Sequence, residues 1–175
     1  MNDTVMSVIA IFLAAVLMFI FPLMSTADRT DDISQQAVQT AVTEFVDNVR
    51  STGKITQDKY NSFTQRIAET GNSFEVGMEA QIQDESSKKK TTEAKASKTG
   101  ENSYYSVFTS QIEDAMSKTG SYNLKEGDIF STTVKNTNKT IGQILKNFFY
   151  QVTGNDTYNI AAQHSGIVNV NSFNK

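Results

Sequence analysis

The residues that could carry acid–base chemistry are few and lie far apart in the sequence. The single histidine, His164, stands before Ser165-Gly166, a pair typical of an exposed turn. Glu75 and Glu79 fall on one face of a predicted strand. Four strand residues separate their backbones by roughly 13 Å, which is too far for the paired carboxylates of a glycosidase. Because catalysis needs a base, a nucleophile and an orienting group together, these residues predict that the protein is not an enzyme.

The motifs that bind metals, cofactors or nucleic acids are also missing from the sequence. The chain has no cysteine, which excludes disulfides, thiolate metal sites and a cysteine nucleophile. No phosphate loop, zinc spacing or calcium loop occurs. The 16 basic and 19 acidic residues give a net charge of -3, so a nucleic-acid partner is not expected. The sequence therefore predicts no catalytic, cofactor-binding or metal site.

Three short features could bind a partner, but each has a simpler interpretation. Asn138-Lys139-Thr140 and Asn155-Asp156-Thr157 match the glycosylation acceptor pattern, which is frequent by chance. Tyr104 and Tyr105 could contact a ligand, although packing at the start of a helix is the preferred interpretation. The three lysines at 88–90 are interpreted as part of a solvated loop, with contact to an anionic surface polymer as the alternative.

The strongest signal is an uncharged stretch near the N-terminus, VMSVIAIFLAAVLMFIFPLM (residues 5–24), called the apolar run below. Twenty helical residues cover about 30 Å, the thickness of the hydrocarbon core of a bilayer. A removable signal peptide has a basic start and an apolar stretch of about 7–15 residues. Here the first basic residue, Arg29, follows the run. A retained membrane span is therefore preferred over cleavage near Ala27 and over a buried soluble helix.

The C-terminal end of the apolar run contains the only proline, Pro22. Its ring and missing N–H remove the hydrogen bond to the Met18 carbonyl, which predicts a kink or break where the helix leaves the membrane. The alternative is a helix that bends when subunits assemble. Arg29 is the only nearby cation and stands among three aspartates, so the charge signal for orientation is weak. The polar, Asn-rich remainder favours an external C-terminal domain.

Periodic patterns predict the elements that follow the apolar run. Spacings of three and four residues continue the helix to Gly53, and a second helix begins at Thr56 and ends at Gly71. The apolar positions of the first helix are Ile33, Ala37, Val38, Ala41, Val42, Phe45, Val46 and Val49. Further helices are expected over 106–117 and 139–153, the latter capped by Asn138 and packed on the sheet. Strands are expected over 74–82, 129–135, 158–162 and 167–170.

These elements predict an α+β protein. A long N-terminal helix, apolar and then amphipathic, should lead into a small head with an antiparallel sheet of three or four strands and helices on one face. The expected division is an apolar transmembrane or assembly helix over 1–27 and an extracellular domain over 28–175. Within that domain, residues 84–103 contain no large apolar side chain and predict a flexible loop.

Three stretches resemble type IV pilin-like proteins, and in particular small anchored proteins of the tight-adherence-type pilus systems of Gram-positive bacteria. They are FPLMSTADRTDDISQQAVQTAVTEFVDNVRSTGKIT, ETGNSFEVGMEAQ and LKEGDIFSTTVKN. The resemblance spans most of the chain and rests on the general pattern of an apolar helix, an interrupting proline, an amphipathic continuation and an α+β head.

The resemblance implies a structural subunit of a surface pilus, either major or minor, that polymerises or is anchored through its apolar helix. Its expected partners are copies of itself or related pilin subunits, the membrane and the pilus assembly machinery. The alternative is a monomeric, single-pass membrane-anchored binding or accessory module. The assembly residues implied by the resemblance are Ile9, Phe12, Leu13, Val16, Phe19, Ile20 and Pro22. Many type IV pilins have a basic leader ending in glycine and a glutamate within the apolar helix. Here the nearest carboxylate is Asp3, which could neutralise a neighbour's terminal amine.

Overall fold

The computed structural model describes residues 2–83, 104–150 and 160–170, except for the side chains of residues 2 and 148–150. The expected flexible loop at 84–103, the lysines at 88–90 and the second glycosylation motif lie outside the described residues. In chain order the elements are α1 (Asn2–Thr52), β1 (Lys54–Thr56), α2 (Gln57–Ala68), β2 (Phe74–Gln83), β3 (Tyr104–Phe108), α3 (Thr109–Thr119), β4 (Ser121–Asn123), β5 (Ile129–Asn136), α4 (Ile141–Tyr150) and β6 (Ala161–Ile167).

Helix α1 is continuous over 51 residues and contains Pro22 in its interior. The predicted break at this proline is therefore wrong, whereas the predicted kink stays a prediction. Pro22 lacks one N–H and its ring crowds the Met18 carbonyl, but the helix continues on both sides of it. The Thr26 hydroxyl donates to the Pro22 carbonyl at 2.9 Å, and the Thr30 hydroxyl donates to the Thr26 carbonyl at 3.0 Å. The same helix thus forms the apolar run and the first element of the head.

The head, defined here as described residues 34–170, contains an antiparallel four-stranded sheet in the order β3-β2-β5-β6. Strands β1 and β4 form a separate two-stranded ribbon, which the sequence patterns did not predict. Along β5, Phe130, Thr132 and Val134 are buried while their neighbours are more exposed, so one sheet face forms the core. Helix α1 packs against β5 and β6. The predicted α+β fold, with a long N-terminal helix and an antiparallel sheet, is confirmed.

The core lies between the C-terminal half of α1, helix α2 and the sheet. Phe45 of α1 stacks on Phe63 of α2 with ring centroids 4.5 Å apart, and its edge meets Phe130 of β5 at 5.9 Å. The predicted apolar stripe on α1 is correct from Val38 onward. Ile33 and Ala37, which belong to the same predicted stripe, are exposed, so the prediction is wrong at these two positions. The apolar side chains that close the core are Val38, Val42, Val46, Val49, Ile67, Met78, Ile112, Met116, Ile160 and Val168.

The segment predicted to be one helix over 106–117 is divided between a strand and a helix. Residues up to Phe108 form β3, with Val107 paired to Ala80 of β2, and α3 follows from Thr109. The Thr109 hydroxyl accepts a hydrogen bond from the Met78 backbone N–H at 2.7 Å, which fixes the start of α3 against the sheet. Tertiary pairing therefore decided the conformation of a short segment whose period was ambiguous.

The two strands expected near the C-terminus are one strand, β6, which includes the predicted Ser165-Gly166 turn. Arg50 of α1 crosses Gly166 so closely that an added Cβ would overlap the guanidinium group. The Arg50 Nε donates to the Ile167 carbonyl at 2.9 Å. The small size of Gly166 thus accommodates the present position of the Arg50 side chain, and the residue lies in a strand rather than in a turn.

The opposite end of β6 is bonded by a side chain of the same helix. The Gln35 amide donates to the Ala161 carbonyl at 2.7 Å and accepts from the Ala161 N–H at 3.0 Å. Both backbone groups of Ala161 therefore have a partner on the side of β6 where none of the described strands pairs. Together with Arg50, this contact attaches α1 to the outer edge of the sheet at two points.

Candidate functional site: the apolar half of the first helix

The predicted assembly residues lie on the part of α1 that projects beyond the head. None of the most apolar 18-residue window of α1 is buried, and the helix is long and apolar enough to cross a membrane. Ile9, Phe12, Leu13, Phe19 and Pro22 are exposed, and Val16 and Ile20 are partly exposed. These side chains are distributed around the whole circumference of one helix, and none of them packs against the head. The helix is apolar on every side, as expected for one surrounded by lipid or by other helices.

Asp3 is exposed in the first turn of α1. Its carbonyl accepts a hydrogen bond from the Ser7 hydroxyl at 2.8 Å. A carboxylate at this position is stabilised by the positive end of the helix dipole. The structure therefore gives Asp3 a role within its own chain, and neutralisation of a neighbour's amine stays a prediction.

Helix α4 lies beside the point where α1 leaves the apolar run. The Thr140 hydroxyl donates to the Asp31 carboxylate at 2.6 Å, and the Lys146 amine lies 2.7 Å from the Asp28 carboxylate. A Cβ added to Gly142 would lie 2.6 Å from the Asp31 Oδ2. Asp28 and Asp31 of α1 thus form a junction with Thr140, which directly precedes α4, and with Gly142 and Lys146 of α4; we call it the exit junction.

The start of α4 differs from the sequence prediction in its cap and in its packing. Thr140, rather than Asn138, is the N-cap: its hydroxyl accepts from the Gln143 N–H, and the Gln143 side chain accepts from the Thr140 N–H, both at 3.2 Å. The Asn138 carboxamide instead accepts from the Ser73 N–H at 2.8 Å. In the described part of α4 the main packing partner is α1 and not the sheet, so the predicted packing is wrong for this part. The Phe148 side chain, expected in that packing, is outside the described side chains.

A pocket of about 390 Å³ lies at the exit junction, where the apolar run ends. Its apolar wall includes Leu23, Ala27 and Ile141, whereas Asn72 and Asn138 belong to its polar side. Leu23 is part of the apolar run, so the pocket joins the end of this run to the first turn of α4. No sequence pattern indicated this contact, since the residues are separated by more than 100 positions.

The single histidine is part of the sheet and not of a surface turn, which corrects the sequence prediction. His164 lies in the middle of β6, opposite Thr132, and its Nε2 lies 3.5 Å from the Asp47 carboxylate of α1. Arg50 contacts the same carboxylate at 2.9 Å. These residues connect α1 to the sheet edge, and this connection is a structural role.

The other polar candidates are also used within the fold. Glu79 accepts a hydrogen bond from Ser106 at 2.7 Å on the outer sheet face, whereas Glu75 is paired across the strands with Lys135. Tyr104 and Tyr105 lie in β3, so the expected packing at a helix start is wrong. Among the described residues, no three metal-ligating side chains are close enough to hold an ion.

Burial and hydrogen bonding change the acidity of two tyrosines in the head. Burial and then the hydrogen bond to Glu113 raise the pKa of Tyr60 to about 12, and the hydroxyl–carboxylate distance is 2.9 Å. Burial, with smaller contributions from Tyr105 and Asp128, raises the pKa of Tyr122. The Tyr60–Glu113 hydrogen bond joins α2 to α3 in the head.

No known protein family, curated protein or solved structure matches this chain.

Proposed function

We propose that this protein is a membrane-anchored structural subunit of a surface filament of the type IV pilin-like kind. In this proposal the apolar run holds the subunit in the membrane and later packs against the apolar runs of other subunits in the filament shaft. The head, formed by the C-terminal half of α1 and the sheet, stays outside the membrane. Its partners are further copies or related subunits and the machinery that assembles them.

One observation carries the proposal: a single helix serves both the exposed apolar run and the core of the head. A linker between span and domain would suffice for an anchor, whereas a shaft helix must hold each head at a fixed place relative to its neighbours. The all-round apolar surface of the run supports the same conclusion, because it can meet neighbouring helices on every side. The side chains available for that packing are Ile9, Phe12, Leu13, Val16, Phe19 and Ile20.

Exchanging two side chains tests whether the apolar run packs in a specific way. A variant carrying Ile9→Phe together with Phe12→Ile keeps the composition of the run unchanged. Lipid accepts any apolar side chain, so membrane insertion should be unaffected. A close-packed shaft responds to changes of a single methylene, so filament formation should fail. Electron microscopy of surface filaments, with membrane fractionation as the control, measures both. Normal filaments from the exchanged variant would contradict the proposal.

The alternative is a monomeric anchored module, which the exit junction favours because it braces the head against the span within one chain. Cross-linking separates the two functions, and the chain is suited to it because it has no native cysteine. Under the filament proposal, Leu13→Cys in the apolar run should give oxidised dimers between copies. Ser117→Cys, on the exposed face of α3, is the matched control. Monomeric Leu13→Cys protein in filament-forming cells would favour the anchored module.

A further inference from the structure

Helix α4 carries an exposed apolar surface immediately beside the end of the membrane-spanning candidate. Ile141 is 72% exposed and Ile144 is 55% exposed. Outside the apolar run, Ile141 is the most exposed large apolar side chain in the described part of the chain. The opposite side of α4, with Gly142 and Gln143, is buried. The helix is therefore held in one orientation, with Ile141 and Ile144 uncovered.

The position of α4 along α1 places this surface at the level of lipid headgroups. It contacts α1 at Ala27, Asp28 and Asp31, and three to seven residues at 1.5 Å each place these positions about 4.5–10.5 Å beyond Met24, the last residue of the apolar run. The interfacial layer on each side of a bilayer is about 5–7 Å thick. Ile141 also lines the same pocket as Leu23, the second-last residue of the apolar run, so it lies close to the end of that run.

The charges at the exit junction are arranged so that α4 can approach an anionic surface. Asp28 and Asp31 would repel anionic headgroups, but Lys146 and Thr140 of the α4 region bind these carboxylates. Lys139, one residue before the N-cap, is exposed. An amphipathic helix with exposed isoleucines and a flanking cation is typical of segments that lie in the plane of the membrane interface.

We infer that α4 lies on the bilayer surface beside α1, with Ile141 and Ile144 inserted at the boundary between headgroups and acyl chains. The occupant of this apolar face is the lipid of the leaflet from which α1 emerges. This inference rests on the membrane anchoring in the proposed function and does not require filament assembly. Helix α4 would thereby give the subunit a second membrane contact and fix the tilt of the head before assembly.

Tryptophan fluorescence tests the inference directly, because the chain contains no tryptophan. Full-length Ile144→Trp protein is reconstituted into phosphatidylcholine vesicles with added phosphatidylglycerol, with or without bromine atoms near the top of the acyl chains. Ile141→Trp serves as a second, independent probe. Phe19→Trp in the apolar run is the positive control, and Phe108→Trp on β3 of the head, 57% exposed in the wild type, is the negative control.

We expect brominated lipid to reduce the emission of Ile144→Trp by about twofold or more, as for Phe19→Trp, while Phe108→Trp is unchanged. If both α4 probes behave like Phe108→Trp while Phe19→Trp is quenched, the anchor is correct and the inference is wrong. A blue-shifted but unquenched α4 probe, dependent on protein density, would show that a second copy covers the helix and would also overturn it. If Phe19→Trp itself is not quenched, α1 does not enter the bilayer, and both the anchoring and the inference fail.

Discussion

The aromatic cluster around Phe45 gives the sharpest test of how the head is held on α1. Phe45 is only 6% exposed and contacts rings from both α2 and β5, so the Phe45→Ala variant removes the contact that joins three elements. Truncation of a buried phenylalanine costs about 3–5 kcal/mol. Well-oriented ring pairs add about 0.5–1.5 kcal/mol beyond their burial, which places the expected loss in the upper half of that range.

Phe19→Ala is the matched control, because it removes the same side chain from the same helix. Phe19 is 70% exposed, so its removal should change the free energy of unfolding of the head by about 0.5 kcal/mol or less. Both variants are unfolded as full-length protein in detergent micelles, and the loss of structure is followed by circular dichroism in denaturant. A domain of this size is stabilised by roughly 5–15 kcal/mol, so the Phe45→Ala loss should be plain.

The melting temperature provides a second measurement of the same loss. With about 2–4 °C lost per kcal/mol, Phe45→Ala should melt about 8–20 °C below the wild type. Truncation of a buried phenylalanine normally costs several kcal/mol. If Phe45→Ala lowered the free energy of unfolding by less than about 1 kcal/mol, the aromatic cluster would not be the core of the head. Equal losses of unfolding free energy for Phe45→Ala and Phe19→Ala would show that Phe45 is no more buried in the folded protein than Phe19.

Three further predictions concern the exit junction, a buried carboxylate and pH. Gly142→Ala should force the Asp31 carboxylate away from Thr140, so hydrogen exchange of the α4 amides should become about tenfold faster, corresponding to about 1.4 kcal/mol, while exchange in β5 is unchanged. Asp128 is buried, and its carboxylate accepts hydrogen bonds from the Lys125 and Gln83 N–H groups at 2.7 and 3.1 Å. Asp128→Ala leaves both donors without this partner, at about 1–3 kcal/mol each. The free energy of unfolding, measured in denaturant, should therefore fall by about 2–6 kcal/mol. The pKa of Tyr60 is about 12 in the folded protein against an ordinary value of 10.0. Its contribution to the free energy of unfolding is therefore complete below pH 10 and is lost as the pH rises toward 12. In the Tyr60→Phe variant, this part of the pH dependence of stability should be absent.

The sequence predicts those parts of the fold that depend on local patterns. The alternation from Phe74 onward, the helical period from Val38 and the Thr56 cap are all found in the structure, since each follows from neighbouring residues along the chain. The short segment ending at Phe108 was misassigned, because its conformation depends on pairing with β2. Local pattern is weak evidence for so short a stretch.

The exit junction could not be predicted, because it depends on contacts between distant residues. Asp31 and Thr140 are 109 positions apart, and each residue type is ordinary where it stands. The same reason explains His164, whose position before Ser165-Gly166 suggested a turn although that glycine lies within a strand, beside the Arg50 side chain of α1. The one available signal was Gly142, a small residue in an otherwise bulky amphipathic helix, which marks close approach to another element.

The continuity of α1 also fixes the direction in which the head faces. From Met24 at the end of the apolar run to Val38 in the core is about four helical turns, with no joint that could absorb a rotation. Because each helical residue turns the chain by about 100°, one residue more or less in this stretch would rotate the head by about 100° relative to the apolar run. In an assembly built by packing apolar runs, every head would therefore present the same side to its surroundings. The side of each head that faces outward in the assembly would then depend on the number of residues between Met24 and Val38 of α1.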